Sequence, residues 1–94
     1  MNLNPLDPLL HSQLRLGIMS ILMSVDSADF VYLKEKTEAT AGNLSVQLEK
    51  LSQADYLTIT KSFKGKRPNT TCKITKKGIQ AFEAYVEALK GYIN

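Results

Sequence analysis

Tyr56-Leu57-Thr58-Ile59-Thr60-Lys61-Ser62-Phe63-Lys64-Gly65-Lys66-Arg67-Pro68-Asn69-Thr70-Thr71-Cys72-Lys73-Ile74 is the stretch whose reading decides the fold. Leu57, Ile59, Lys61 and Phe63 alternate with Thr58, Thr60 and Ser62, the period-2 pattern of a strand rich in β-formers. Lys64 to Asn69 holds a glycine and a proline and reads as a hairpin loop, after which Thr70 to Ile74 returns as the partner strand. The same region concentrates charge. Residues 61–77 contain seven of the twelve basic residues and none of the nine acids, about +7 against about −4 for the rest of the chain. A surface built only for solubility would mix acids into such a run.

Upstream, Thr40 is placed to cap a helix from Ala41 to Ala54, with Leu44, Leu48 and Leu51 as its single buried stripe. Asp55 ends it, because Asp tolerates the left-handed conformation of a helix stop. Thr37-Glu38-Ala39 is a turn, and Asp29 caps a shorter helix from Phe30 to about Lys36 with Phe30 and Leu33 inward. Asp26-Ser27-Ala28 reads as a short connection or a minimal strand. Ser12 caps a first helix to about Ser24, and residues 1–11, with Pro5 and Pro8, form an extended lead-in with room for a short turn of helix at its end. Downstream, Thr75 caps a last helix that runs to the C-terminus.

The order helix, helix, helix, strand, loop, strand, helix predicts a mainly α (α+β) winged helix-turn-helix fold. Its parts are a three-helix core, a two-stranded β wing and a C-terminal dimerisation helix. The expected divisions of one domain over 1–94 are helix-turn-helix 29–54, wing 56–74 and dimerisation helix 75–94. A chain of this length buries only about 60–65% of its unfolded surface, so its core is modest.

Several classes of chemistry find no support. Cys72 is the one cysteine, which excludes an intrachain disulfide and a Cys-based zinc cluster. His11 is the one histidine and has no ligand or catalytic partner at a recognisable spacing. Gly65 and Gly78 belong to no phosphate loop. The expectation is no enzyme, no cofactor and no metal. The longest apolar-rich run, Leu14 to Val25, is interrupted by Arg15, Gly17, Ser20 and Ser24 and is too short to span a bilayer. No basic segment precedes an apolar run in the first twenty residues. A soluble, cytoplasmic protein without a membrane partner is expected.

With the leucine stripe inward, a 100° step turns Gly42, Asn43, Val46, Gln47 and Lys50 outward. Asn43 and Gln47 can pair with adenine, Ser45 with a phosphate or base edge, and Val46 with a thymine methyl. Gly42 allows close approach of a backbone, and the helix start at Thr40 favours a phosphate. On the hairpin, Arg67 suits a narrow minor groove, and Lys61, Lys64, Lys66 and Lys73 suit the phosphates. Double-stranded DNA is therefore the expected partner.

The last helix carries two apolar stripes, Ile79, Phe82, Val86, Leu89, Ile93 and Ala81, Tyr85, Ala88, Tyr92. One stripe suffices to pack on a small domain, so the second predicts a homodimer. Its interface is expected at Phe82, Tyr85, Val86, Leu89, Tyr92 and Ile93 with Leu16, Met19 and Met23 of the first helix. A small-molecule effector around Met19, Met23 and Tyr85 is not identified by the sequence, since such stripes serve more often as core.

The run Gly42-Asn43-Leu44-Ser45, with Leu48, Leu51, Tyr56, Lys61, Phe63, Gly65, Pro68, Thr70, Thr75 and Gly78, resembles the stand-alone winged-helix DNA-binding family related to the MarR, ArsR and PadR regulators. The resemblance spans about Pro8 to Tyr92. Gln47 stands where a His is common in that family and Asp55 where a Gly is common. It implies a homodimeric, DNA-binding transcriptional regulator of prokaryotic type, a repressor in the leading reading, with the third helix in the major groove and the wing near the minor groove. A winged-helix module whose basic wing docks on an acidic protein is the alternative, because the fold serves both uses.

Overall fold

The computed structural model describes residues 3–93. The first two residues of the expected lead-in, and Asn94 at the end of the expected last helix, lie outside them. The elements are α1 (Gln13–Met23), β1 (Ala28–Asp29), α2 (Phe30–Thr37), α3 (Ala41–Gln53), β2 (Leu57–Lys64), β3 (Arg67–Ile74) and α4 (Lys76–Ile93). The sheet is antiparallel in the order β1-β3-β2, so the wing hairpin gains a third, two-residue strand: Ala28 pairs with Cys72 and Asp29 with Thr71.

Local chemistry sets the boundaries. Asp29 Oδ1 accepts from the Tyr32 N–H at 2.8 Å and Thr40 Oγ1 from the Asn43 N–H at 3.2 Å. Thr75 Oγ1 accepts from the Gly78 N–H at 2.9 Å. Each satisfies a donor that a helix start leaves open. Ser12 occupies the cap position of α1, but its side chain makes no cap bond. Two helix exits use left-handed residues, Glu38 after α2 (φ 58°) and Asp55 after α3 (φ 63°).

The hairpin is longer and its turn tighter than the sequence pattern indicates. Lys64 pairs with Arg67, so only Gly65 and Lys66 form the turn, not the six residues Lys64 to Asn69. Gly65 has φ +69°, while Lys66 is not among the positive-φ residues, the signature of a type II′ turn with Gly first. Pro68 lies inside β3, opposite Phe63. Next to a two-residue turn the first pair exchanges hydrogen bonds and the second does not, so the N–H that Pro68 lacks would have pointed away from β2.

The fully buried residues Leu10, Ile18, Met19, Leu22, Leu33, Leu44, Leu48, Leu51, Leu57 and Cys72 form one cluster under α1, α3 and the sheet. The lead-in ends in the expected turn, at residues 8–10. The Asp7 carbonyl accepts from Leu10 N–H (3.1 Å) and His11 N–H (2.9 Å), and its carboxylate accepts from Leu9 N–H (2.9 Å) and the Tyr56 hydroxyl. That turn drives Leu10 into the core. The molecule is elongated, 56 × 25 × 21 Å with a radius of gyration of 14.2 Å, against about 12 Å for a compact chain of this length. No helix among the described residues is long and apolar enough to cross a membrane.

Candidate nucleic-acid interface

Helix α3 packs on α1 and β2 through Leu44, Leu48 and Leu51 and leaves its opposite side open. Gly42, Asn43, Ser45, Val46 and Lys50 are exposed, Val46 by 51%. A Cβ built on Gly42 meets nothing within 4 Å, so nothing inside the chain requires a glycine there. Thr40, also exposed, holds the first turn through its cap bond to Asn43. Two clefts flank the helix. One, about 290 Å³, lies between Ser45, Leu48 and Glu49 of α3 and Ile59, Lys61 and Thr70 of the wing. The other, about 520 Å³, joins Asn43 to Gln13, Leu14, Gly17, Ser20 and Ile21 of α1 and to Lys36, Thr37 and Ala39.

Gln47 departs from its expected free, outward position. It is half-buried on the α1 flank, where its Oε1 accepts from Arg15 Nη1 at 2.5 Å and its Nε2 donates to Asn43 Oδ1 at 3.0 Å. Arg15 Nε also donates to the Leu9 carbonyl at 2.6 Å. Arg15 was not among the residues expected at the interface. It lies 32 positions from Gln47 in sequence and has no periodic signal linking it to α3.

Lys61, Lys64, Lys66, Arg67 and Lys73 are all exposed, and among the described residues none has an acid within ion-pair distance. The pleat divides them. Lys61 shares the core-side face with Leu57, Ile59 and Phe63, opposite Thr70, whereas Lys64, Arg67 and Lys73 share the outer face. Lys73, opposite Thr58 at the wing root, stands about 20 Å along the strand from Arg67, so it is not part of the tip cluster. The tip proper is Lys64, Lys66 and Arg67, with exposed Phe63 against Pro68 beside it.

The residues expected at a dimer contact fall into two groups. Met19 (0% exposed) and Tyr85 (5%) are interior to the chain itself, which corrects their assignment. Met19 lies among the core leucines, and the Tyr85 hydroxyl meets His11 Nδ1 at 3.1 Å. Leu16, Phe82 and Leu89 are half-buried against that core. Met23, Val86, Tyr92 and Ile93 stay exposed, Ile93 by 74%, though the Tyr92 hydroxyl donates to the Asn4 carbonyl at 2.8 Å. Tyr85 therefore marks the inward side of α4, and Ile79, Val86 and Ile93 run at seven-residue spacing along another.

Two groups shift in acidity. Burial, with the Asp7 hydrogen bond and charge behind it, pushes the Tyr56 phenol up to about 12. Burial pushes the Cys72 thiol up to about 11, which keeps it protonated and inert at neutral pH. Among the described residues no group of three or more His, Cys, Asp or Glu could hold a metal ion.

Residues 14–93 match the model of a family described as winged helix DNA-binding domain. An uncharacterized protein of Methanocaldococcus jannaschii is 38% identical over 76 residues, 81% of this chain and 83% of the relative. A transcriptional regulator homologue from Pyrococcus horikoshii is 28% identical with a TM-score of 0.83, over 90% of this chain and 84% of the other. A mutant MarR from E. coli, solved in complex with operator DNA, has the same fold at 19% identity and a TM-score of 0.71, over 88% of this chain and 64% of the other.

Proposed function

The chain belongs to the winged helix DNA-binding domain family, and from that premise we propose that it is a homodimeric, sequence-specific transcriptional regulator that represses by occluding a promoter. Helix α3 enters the major groove, with Thr40 and Gly42 at the phosphate edge and Asn43, Ser45 and Val46 at the bases. Lys50 and Lys61 flank it, and Lys64, Lys66 and Arg67 lie over the next phosphates and minor groove. The observation that carries the reading is the wing tip: three exposed cations without an acid partner among the described residues, on a two-residue turn whose positive φ Gly65 permits. Such a tip matches regularly spaced phosphates and has no role in the fold's own packing. The Pyrococcus horikoshii neighbour, described as a transcriptional regulator homologue, supports the same reading.

Dimerisation rests on α4. Ile79, Val86 and Ile93, with Phe82 and Leu89 between them, make a heptad-type stripe whose outer half is exposed in one chain. Pairing of two such helices would set two α3 helices about 34 Å apart, one DNA turn.

The test is a mobility-shift titration on duplexes enriched from a random library, repeated at several salt concentrations, with sedimentation of the free protein alongside. The reading expects enrichment of an inverted repeat, a steep fall of affinity with salt, and a mass of two chains. Equal binding to all duplexes, or none, removes it. A single-chain mass across the micromolar range removes the dimer.

A further inference from the structure

Arg15 ties the lead-in to α1 through the Leu9 carbonyl, and its remaining donors reach across to α3. A guanidinium half-buried between α1 and α3 has no carboxylate within ion-pair distance among the described residues, yet it touches the amide of the recognition helix. Its chemistry fixes how that amide is turned. Guanidinium nitrogen only donates, so the Gln47 atom facing it has to be Oε1. Nε2 is then committed to the Asn43 side, and an N–H can be met there only by an acceptor, Asn43 Oδ1 at 3.0 Å. What remains for the groove is the Asn43 Nδ2 with both its hydrogens. Three side chains thus pass one orientation from α1 to the exposed edge of α3.

We propose that Arg15 is a positioning residue for base selection: acting through Gln47, it holds Asn43 with its amide donors outward, so that α3 selects guanine over adenine at the base Asn43 meets. The inference rests on the DNA-binding reading above and deepens it. A free Asn or Gln pairs with adenine by offering one donor to N7 and one acceptor to the N6 amino group. Here the acceptor oxygens of both amides are turned into the network. Guanine presents two acceptors, N7 and O6, to the outward donors, whereas the adenine N6 amino group would oppose donor to donor.

The test compares base preference in four proteins, each first shown to keep its fold by thermal melting. Asn43→Ala identifies the position, the one at which library selection becomes indifferent. At that position the unaltered protein is expected to favour guanine over adenine by about tenfold, within the range of one good base contact. Arg15→Met frees the Gln47 amide to rotate, and the ratio should fall towards one while binding to unrelated duplex changes far less. Gln47→Glu is the sharpest case. A carboxylate keeps Arg15 and presents only acceptors to Asn43, which has to turn its Nδ2 inward and its Oδ1 outward. The preference should then invert to adenine, with weaker binding to every site from the added negative charge.

Adenine at the Asn43 position in the unaltered protein overturns the inference, as does a guanine ratio that survives Arg15→Met and Gln47→Glu, or an Asn43→Ala that relaxes no position. A protein that enriches no sequence at all overturns the DNA-binding reading itself, and the inference with it.

Discussion

Helices α3 and α4 begin in the same way and end up facing opposite worlds. Each is capped by a threonine whose Oγ1 accepts from the third residue's N–H, Thr40 from Asn43 and Thr75 from Gly78. Each carries a glycine in that first turn. At α4 the glycine is obligatory: a Cβ on Gly78 would lie 2.0 Å from the Tyr56 carbonyl oxygen and 3.0 Å from Ile74 Cγ1. At α3 a Cβ on Gly42 would meet open space. The α4 start also collects bonds, Thr75 N–H to the Tyr56 carbonyl at 3.1 Å and Thr75 Oγ1 to the Asp55 carbonyl at 2.5 Å. One helix start joins the wing root to the body of the protein. The other is left clear, on the side where the proposed reading places DNA.

The hardest test of the contrast is Gly78→Ala. The atom in the way is backbone, and it already accepts a hydrogen bond, so it cannot step aside. Overpacking against fixed backbone should cost about 3 kcal/mol or more. Urea unfolding should show a lower midpoint with unchanged slope. A loss under about 1 kcal/mol would mean that the α4 start is slack and the two helix starts are not distinct after all.

The wing tip should behave in the reverse sense. Removing Lys66 and Arg67 together by alanine should leave unfolding within about 0.5 kcal/mol of the parent, as expected for exposed side chains without partners. Binding to all duplexes should weaken, and the slope of log affinity against log salt should flatten by about one for each lost phosphate contact. Unchanged salt dependence with lowered stability would put the tip on the structural side of the comparison.

Alkaline pH acts on one of the two helix starts. Tyr56 donates its hydroxyl to Asp7 beneath the α4 start, and its phenol is raised from 10.0 to about 12. Cys72 in β3 is raised from 9.0 to about 11. In both cases the folded state favours the protonated form. Their contribution is therefore complete below the unfolded values, about pH 9 for the thiol and 10 for the phenol, and is lost as pH rises through 11 and 12. Thermal midpoints should decline above pH 9, and Tyr56→Phe should remove the later part of the decline.

Much of this was legible in the sequence because it is local. The caps Asp29, Thr40 and Thr75, the left-handed Asp55, and the leucine stripe of α3 follow from spacing within a few residues. The misplaced features are those decided by distant chain. Pro68 has the sequence character of a loop residue, but the bonding alternation of the hairpin lets it sit in β3. Met19 and Tyr85 belong to real apolar stripes, yet periodicity cannot say whether a stripe meets a second chain or its own. The lead-in supplies part of the answer, with Leu10 in the core and His11 on Tyr85. Gln47 reads as free in the sequence because nothing near it announces Arg15.

Gly42→Ala is the smallest effect and the one that separates fold from function most cleanly. In the first turn of α3 the methyl group would touch nothing, so the exchange should stabilise the protein by a few tenths to about 1 kcal/mol, the helix-forming advantage of alanine over glycine. If Gly42 is retained so that a sugar–phosphate backbone can come close, the same methyl should weaken duplex binding, because the space it fills belongs to the partner. Stability up and affinity down from one atom is a signature that a purely structural glycine cannot give, and Gly78→Ala should never show it. Should Gly42→Ala raise stability and leave duplex affinity untouched, the α3 start is merely solvent-exposed, and the groove-facing edge of the helix has to begin further along, at Ser45 and Val46.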